Sequence, residues 1–231
     1  MKQSIISFVV LALLAVSCQQ AKQDLPTAYS PQETVPMEIT NFETIQLEQP
    51  NTESGDALMK TLKNRQSTRE YADTNISLKH LSEILWAANG TNRGDGKRTV
   101  PSALALYPIK MYAVLANGIY LYSSENHELQ PVAEGDFREL AGLQPFVKTA
   151  PLNLVFIADY SKYQGDRPVP QEKWLYLAAL DAGHCTQNIY LYCASEGLKT
   201  VVRAGAQEAK LLELLGLDEN HQFVVAQTVG Y

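Results

Sequence analysis

The 231 residues are 45% hydrophobic and 19% charged, enough for one substantial core and unlike the apolar-poor, charge-blocked composition of a disordered chain. A formal net charge of -6 gives no basic footprint for nucleic acid, so that class of partner is set aside and any anion site must be local.

Met1 to Cys18 read as an export signal: Lys2 supplies a positive n-region, and the apolar run from Ile5 to Val16 is too short for an ordinary membrane span. Leu13-Leu14-Ala15-Val16-Ser17-Cys18 looks like a bacterial lipobox, with Ala15 where Leu is usual, and makes Cys18 the expected lipidation site. A plain secretory signal cleaved nearby is the alternative. Acyl chains on Cys18 would hold the protein on a membrane surface of the cell envelope while its body stays in water. Residues 19–51, rich in Gln, Pro, Thr and Glu, read as a tether, part of which packing could order. Residues 52–231 read as one folded domain.

Gly55 to Leu62 has helical spacing, with Leu58, Met59 and Leu62 as its apolar stripe. It leads into Asn64-Arg65-Gln66-Ser67-Thr68-Arg69, where Arg65, Ser67 and Arg69 alternate and so share one side of an extended chain. Two guanidinium forks and a hydroxyl on one side suit a phosphate, although solvated arginines after a helix end would look the same. Ser77 caps a second helix with Leu78, Leu81, Ile84, Leu85 and Ala88 on one face, stopped by Asn89-Gly90. Gly94, Asp95 and Gly96 form a turn and make no dinucleotide motif.

Ile109 to Leu115 and Ile119 to Ser123 are strand-like, joined by a hairpin signal at Ala116-Asn117-Gly118. Asp136 to Ala141 suggests a short helix, and Leu152 to Ala158 a strand buried on both faces. Gln171 to Glu196 is the longest element. Ala178, Ala182, Cys185, Ile189, Tyr192 and Cys193 mark one face, and Leu175, Ala179, Leu180 and Leu191 keep the rest apolar. Such a helix is buried in its own core, against another subunit, or both, and Gly183 would permit a close crossing. Cys185 and Cys193 on this helix would stand about 12 Å apart along its axis, beyond disulfide reach, and are expected as buried thiols. Gly197 closes the helix. Strand-like Thr200 to Arg203, helical Gln207 to Leu215 and strand-like Phe223 to Val229 follow, an order that argues for an α+β sheet covered by helices.

Three segments together resemble the FMN-dependent nitroreductase superfamily, and within it the SagB-type dehydrogenase branch related to azoline oxidases. They are Arg65-x-Ser67-x-Arg69, then Leu81 to Gly90 continuing through Arg98-Thr99-Val100-Pro101-Ser102-Ala103-Leu104-Ala105-Leu106-Tyr107-Pro108, and finally Leu180 to Asn188 with Glu196-Gly197-Leu198. Leu104 stands where the branch has Gly. The resemblance spans about residues 55–231. It implies a nitroreductase-like α+β fold, a mixed and mainly antiparallel sheet with a long interface helix, and an obligate homodimer with two shared FMN sites.

Position by position, the resemblance implies that Arg65 and Ser67 hold the phosphate and ribityl end of FMN and that Arg69 approaches the N1 and C2 carbonyl side. Ser102, in the Pro101-Ser102 element, would come from the partner subunit, and the backbone N–H of Glu196 or Gly197 would face N5 and O4. No catalytic side chain and no metal site are expected. Family members usually place further basic residues after the last strand, while the sequence given stops at Gly230-Tyr231. Either Arg65 and Ser67 carry more of the phosphate, or Lys199 or Arg203 adds charge, or FMN binds weakly. Lys173-Trp174 is a poor substitute for the Lys-Tyr pair of azoline oxidases, so azoline oxidation is not assigned. His184 reads as an interface position, Tyr107 as substrate-face or core, and Trp86 and Trp174 as packing residues. The leading function is oxidoreduction of a small organic substrate with NAD(P)H or another reductant. The alternative is a surface lipoprotein using the fold as a binding or scaffold module.

Overall fold

The computed structural model describes residues 29–38 and 41–231, so the signal segment and Cys18 lie outside the described residues. Seven strands form a single sheet in which every neighbouring pair is antiparallel. They are β1 (Ile45–Gln46), β2 (Ile109–Leu115), β3 (Gly118–Ser123), β4 (Glu128–Glu134), β5 (Leu152–Asp159), β6 (Lys199–Arg203) and β7 (His221–Gly230), in the order β1-β4-β3-β2-β5-β7-β6. Four helices, α1 (Leu58–Asn64), α2 (Leu78–Asn89), α3 (Trp174–Glu196) and α4 (Glu208–Leu214), complete an α+β architecture.

Strand β5 explains the continuous apolar run. All eight of its residues are buried, with Leu152, Leu154, Phe156 and Ala158 facing the core under α2 and α3. Val155 and Ile157 face a second core with Val147, Leu211 and Phe223. Alternation on a strand covered on both faces reads as an unbroken hydrophobic segment. The β2–β3 hairpin turns on Ala116-Asn117, with Leu115 paired to Gly118. Gly118 is already in the strand, and a side chain is excluded there because a Cβ would stand 2.4 Å from the ring of Phe42.

Two local expectations shift, and one strand was not expected at all. Helix α1 begins at Leu58 because Gly55 takes a φ of 108° and the Asp56 N–H donates to Ser195 Oγ at 2.8 Å, tying the preceding residues to α3 as a turn. The short helix near Asp136 is a 3-10 turn over Arg138–Ala141, since Asp136 folds back onto the Arg138 guanidinium. Strand β4 carries no strand signal: Pro131 interrupts it and Leu129 is its one buried residue.

Helix α2 starts at Ser77, whose hydroxyl accepts the His80 N–H at 3.1 Å. Helix α3 buries Ala178, Ala182, Cys185, Ile189 and Cys193 in the body. Its other side leaves Leu175 49%, Tyr176 65% and Leu180 43% exposed, and α1 exposes Leu58 and Met59. The described residues before 52 contact the body: Met37 N–H donates to the Ile76 carbonyl, and Leu47 is buried with its N–H on the His127 carbonyl. Among the described residues, no helix is long and apolar enough to cross a membrane.

Candidate functional site

Beyond α1 the chain runs extended, held to the start of β6 by two bonds. The Thr68 N–H donates to the Thr200 carbonyl at 3.0 Å, and the Thr200 N–H donates to Thr68 Oγ1 at 3.1 Å. This placement sets Ser67 Oγ 2.8 Å from the hydroxyl of Tyr190, a buried residue of α3. The Tyr190 oxygen also accepts the Val202 N–H at 3.0 Å, which leaves its own proton available to Ser67. The Arg65 guanidinium carbon lies 5.3 Å from the centroid of the Tyr190 ring, a cation–π contact that keeps the fork's edge free. A recess of about 260 Å³ opens at the other side of Tyr190, lined by Asn64, Gln66 and Thr68, the residues that alternate with Arg65 and Ser67, and by Gly197, Lys199 and Thr200; Arg65, Ser67 and Arg69 are not part of its wall.

Lys199 therefore stands at the recess, and Arg203 does not. Arg203 is buried on β6, donating to Thr228 Oγ1, the Ala141 carbonyl and Asn153 Oδ1, and burial pushes its pKa down to about 10. A guanidinium so engaged is a structural organiser, which corrects the reading of Arg203 as a source of phosphate charge. Arg69 is exposed and has no side-chain hydrogen bond or ion pair with the described residues.

Gly197 ends α3 with φ 73° and ψ 15°, in the left-handed region where a side chain is strained. Its N–H donates to the Cys193 carbonyl as the helix cap, so that donor is occupied here. Glu196 is buried, and its carboxylate receives the hydroxyl of Tyr29 from the N-terminal segment.

The Pro101-Ser102 element forms a second cluster. Ser102 Oγ donates to Asp181 Oδ2 at 2.5 Å and accepts the Tyr107 N–H at 2.9 Å. Burial raises the Asp181 pKa, against the lowering effects of the Ser102 bond and of His184. Between these anchors Leu104, Ala105 and Tyr107 all have positive φ, at 55°, 55° and 46°. Such strain persists only where surrounding contacts impose it, and it accounts physically for Gly at position 104 in the resembled branch. Asp181 and Tyr190 are nine residues apart on α3, about 13 Å along the axis, so one chain keeps Ser102 and Ser67 in separate clusters.

Other singled-out residues have structural surroundings. The Trp86 indole donates to the Thr91 carbonyl, and Trp174 donates to the Val169 carbonyl and packs on Tyr160 and Tyr163. His184 is exposed on α3, and the Tyr107 hydroxyl accepts the Arg98 N–H at 3.3 Å. Cys185 and Cys193 are buried free thiols, and burial pushes Cys185 up to about 12 and Cys193 higher, so neither is a ready nucleophile. Tyr190 is the residue that sequence reasoning passed over. Between Ile189 and Leu191 it reads as core, and only the fold brings Ser67, Arg65 and Val202 to it.

The sequence profile of the nitroreductase family matches residues 62–231. The archaeal protein named "Putative nitroreductase MJ1384", from Methanocaldococcus jannaschii, is 32% identical over 200 residues, covering 81% of this chain and 92% of that one. The crystal structure of a "putative nitroreductase" from Ralstonia eutropha JMP134 superposes with a TM-score of 0.77 at 38% identity, covering 87% of this chain and 97% of that one. A shorter match, 33% identical over 101 residues and 42% of each chain, is to the NADPH-flavin oxidoreductase of Vibrio harveyi.

Proposed function

This chain belongs to the nitroreductase family, and from that premise we propose that it is an FMN-dependent oxidoreductase, passing hydride or electrons from NAD(P)H or another reductant to a small organic substrate. The observation that carries the proposal is the Arg65–Tyr190–Ser67 constellation beside the recess at the end of α3. Its chemistry suits the phosphate and ribityl end of FMN, with a guanidinium fork at Arg65 and a hydroxyl at Ser67, and Lys199 adds an ammonium on the wall of the adjoining recess. Bound FMN supplies a reversible two-electron acceptor. Arg69, free of protein partners among the described residues, supplies a mobile cation for the electron-rich N1 and C2 edge of the reduced ring. Tyr190 fixes Ser67 before the ligand arrives.

The recess, at about 260 Å³, is smaller than the roughly 300–1,000 Å³ usual for ligand sites of this class, so one chain supplies only part of the cofactor's surroundings. A homodimer completes it in our reading, with the exposed apolar faces of α1 and α3 as its interface. The partner copy would then bring its Pro101-Ser102 element to the flavin, and the contact from Ser102 to Asp181 would hold that element in shape. Within the family we favour the SagB-type dehydrogenase branch, on the Leu81 to Gly90 and Arg98 to Pro108 segments. The Vibrio harveyi relative's name makes NADPH the first donor to test.

The decisive experiment is an anaerobic absorbance spectrum of the protein with FMN, before and after NADH, NADPH and dithionite. Retained flavin that bleaches with a physiological donor supports the proposal. Failure to retain FMN at micromolar concentration overturns it in favour of a binding or scaffold module. We also propose export and lipid anchoring through Cys18, supported by the Lys2 to Cys18 pattern. A Cys18→Ala chain that still fractionates with membranes would refute the anchor.

A further inference from the structure

Arg98 is a guanidinium without an acceptor. It is half-buried, with its carbon 4.6 Å from the Tyr107 ring centroid, and burial lowers its pKa. None of its side-chain donors has a hydrogen bond or ion pair among the described residues, a state it shares with Arg65 and that sets both apart from Arg203 and Arg138. Arg203 has three oxygen acceptors, and Arg138 pairs with Asp136 at 2.7 Å. Its donors are not among the fully buried unsatisfied atoms of the described residues, so they open to solvent and stand available to an incoming acceptor.

Arg98 lines a recess of about 230 Å³ between the end of α2, β2 and β3, with Tyr107, Tyr122, Ser123, Ser124 and Lys162 among the other lining residues. Lys162 has no ion-pair partner among the described residues, whereas Lys110, also on the wall, is taken up by Asp159 and His221. The Arg98 backbone is fixed from both sides. Its N–H donates to the Tyr107 hydroxyl, its carbonyl accepts Arg93 Nη2 at 3.1 Å, and it bridges to Thr91. A guanidinium covered on one face by an aromatic ring keeps its edge free for two parallel hydrogen bonds, the geometry that matches a planar carboxylate. Glu125 is the one carboxylate in the lining, and its charge disfavours a dianion. The volume, below the range of about 300–1,000 Å³ for drug-sized ligands, sets the size.

We propose that this recess binds a small monocarboxylate, with Arg98 pairing bidentately with the carboxyl group and Lys162 adding charge at the rim. The site shares no lining residue with the recess at the end of α3, and it meets the Pro101-Ser102 element only through Tyr107, whose N–H donates to Ser102 Oγ.

Isothermal titration of the purified chain with benzoate, benzamide and inorganic phosphate tests it. Benzoate is expected to bind saturably with a Kd on the order of 1 mM, and Arg98→Met to weaken it at least tenfold. Benzamide, which has the shape without the charge, and phosphate, whose second negative charge Glu125 would repel, are expected to bind at least tenfold more weakly. Lys162→Met, at an exposed position that leaves the fold intact, is expected to weaken benzoate about threefold and keeps the test open if Arg98→Met does not fold. Absence of saturable benzoate binding, equal binding of benzamide or phosphate, or benzoate affinity indifferent to both substitutions would each overturn the assignment.

Discussion

Tyr29 and Glu196, 167 positions apart in the chain, meet with the tyrosine hydroxyl 2.7 Å from both carboxylate oxygens. Glu196 is 6% exposed, and its other side-chain contact among the described residues is the Ser195 hydroxyl at 3.3 Å. Tyr29 thus covers a carboxylate at the end of α3, beside Gly197 in the wall of the recess there. Tyr29→Phe leaves that carboxylate short of a donor and is expected to cost about 1–3 kcal/mol. A lowered urea midpoint at unchanged slope, with earlier proteolytic cleavage near residues 29–38, is the expected result.

Arg65→Ala is expected to weaken retention of FMN more than that of riboflavin, because only FMN offers a phosphate to the fork. Equal losses would reject the assignment. Tyr190→Phe removes the oxygen shared by Ser67 and the Val202 N–H, and is expected to cost about 1 kcal/mol of stability. It should also raise the FMN dissociation constant several-fold, read by quenching of flavin fluorescence.

Gly183 faces outward on α3, and a Cβ there meets nothing within 4 Å in its own chain. In a single chain, Gly183→Ala should stabilise the helix by up to about 1 kcal/mol. If α3 crosses a second copy at this point, Gly183→Leu pushes the two helices apart. Sedimentation should then show a monomer, and a Leu variant that remains dimeric would move the interface elsewhere.

His80 is buried at 3% exposure, with Nδ1 3.1 Å from the Tyr231 hydroxyl. Burial pushes its pKa from 6.5 down to about 4, helped by Lys79 and opposed by Glu83. The unfolded chain therefore takes up the proton first as pH falls. The stability His80 contributes is present above pH 6.5 and is lost as pH falls toward 4, a loss of at most about 3 kcal/mol. His80→Leu should flatten the acid limb of a stability profile measured by urea unfolding.

Asp181 runs with the opposite sign. Its folded pKa is raised, so its contribution is present below the normal carboxylate range and lost as pH rises. Asp181→Asn keeps an acceptor for Ser102 and should gain stability relative to the native chain as pH rises. Unfolding curves at pH values on either side of the carboxylate range check this through the widening gap between the two proteins.

Much of the fold is legible because local signals agree with burial. Ser77 marks the start of α2 and Gly197 the end of α3, and β5 reads as buried because both its faces are. Strand β4 was hidden by Pro131 and by exposure of most of its side chains, which leaves no periodic pattern to detect. The site divides the same way. Arg65 and Ser67 announce themselves through adjacent chemistry, whereas Tyr190 acquires its role only through partners 123 and 12 positions away. Lys199 and Arg203 could not be ranked before folding, because which of two nearby cations turns inward depends on Asn153 and Thr228 across the sheet.

The order of strands has a consequence for synthesis. Strand β5 pairs on one side with β2, made earlier, and on the other with β7, the last strand to be made. From the emergence of Asp159 until His221–Gly230 arrives, an eight-residue strand with unpaired amides and apolar side chains on both faces waits with one edge open. Such an edge is a template for pairing with other chains, and long-range pairing of this kind closes slowly. The nascent protein therefore has a defined interval of aggregation risk, and holding chaperones that cover Leu152–Asp159 during that interval would raise its folding yield.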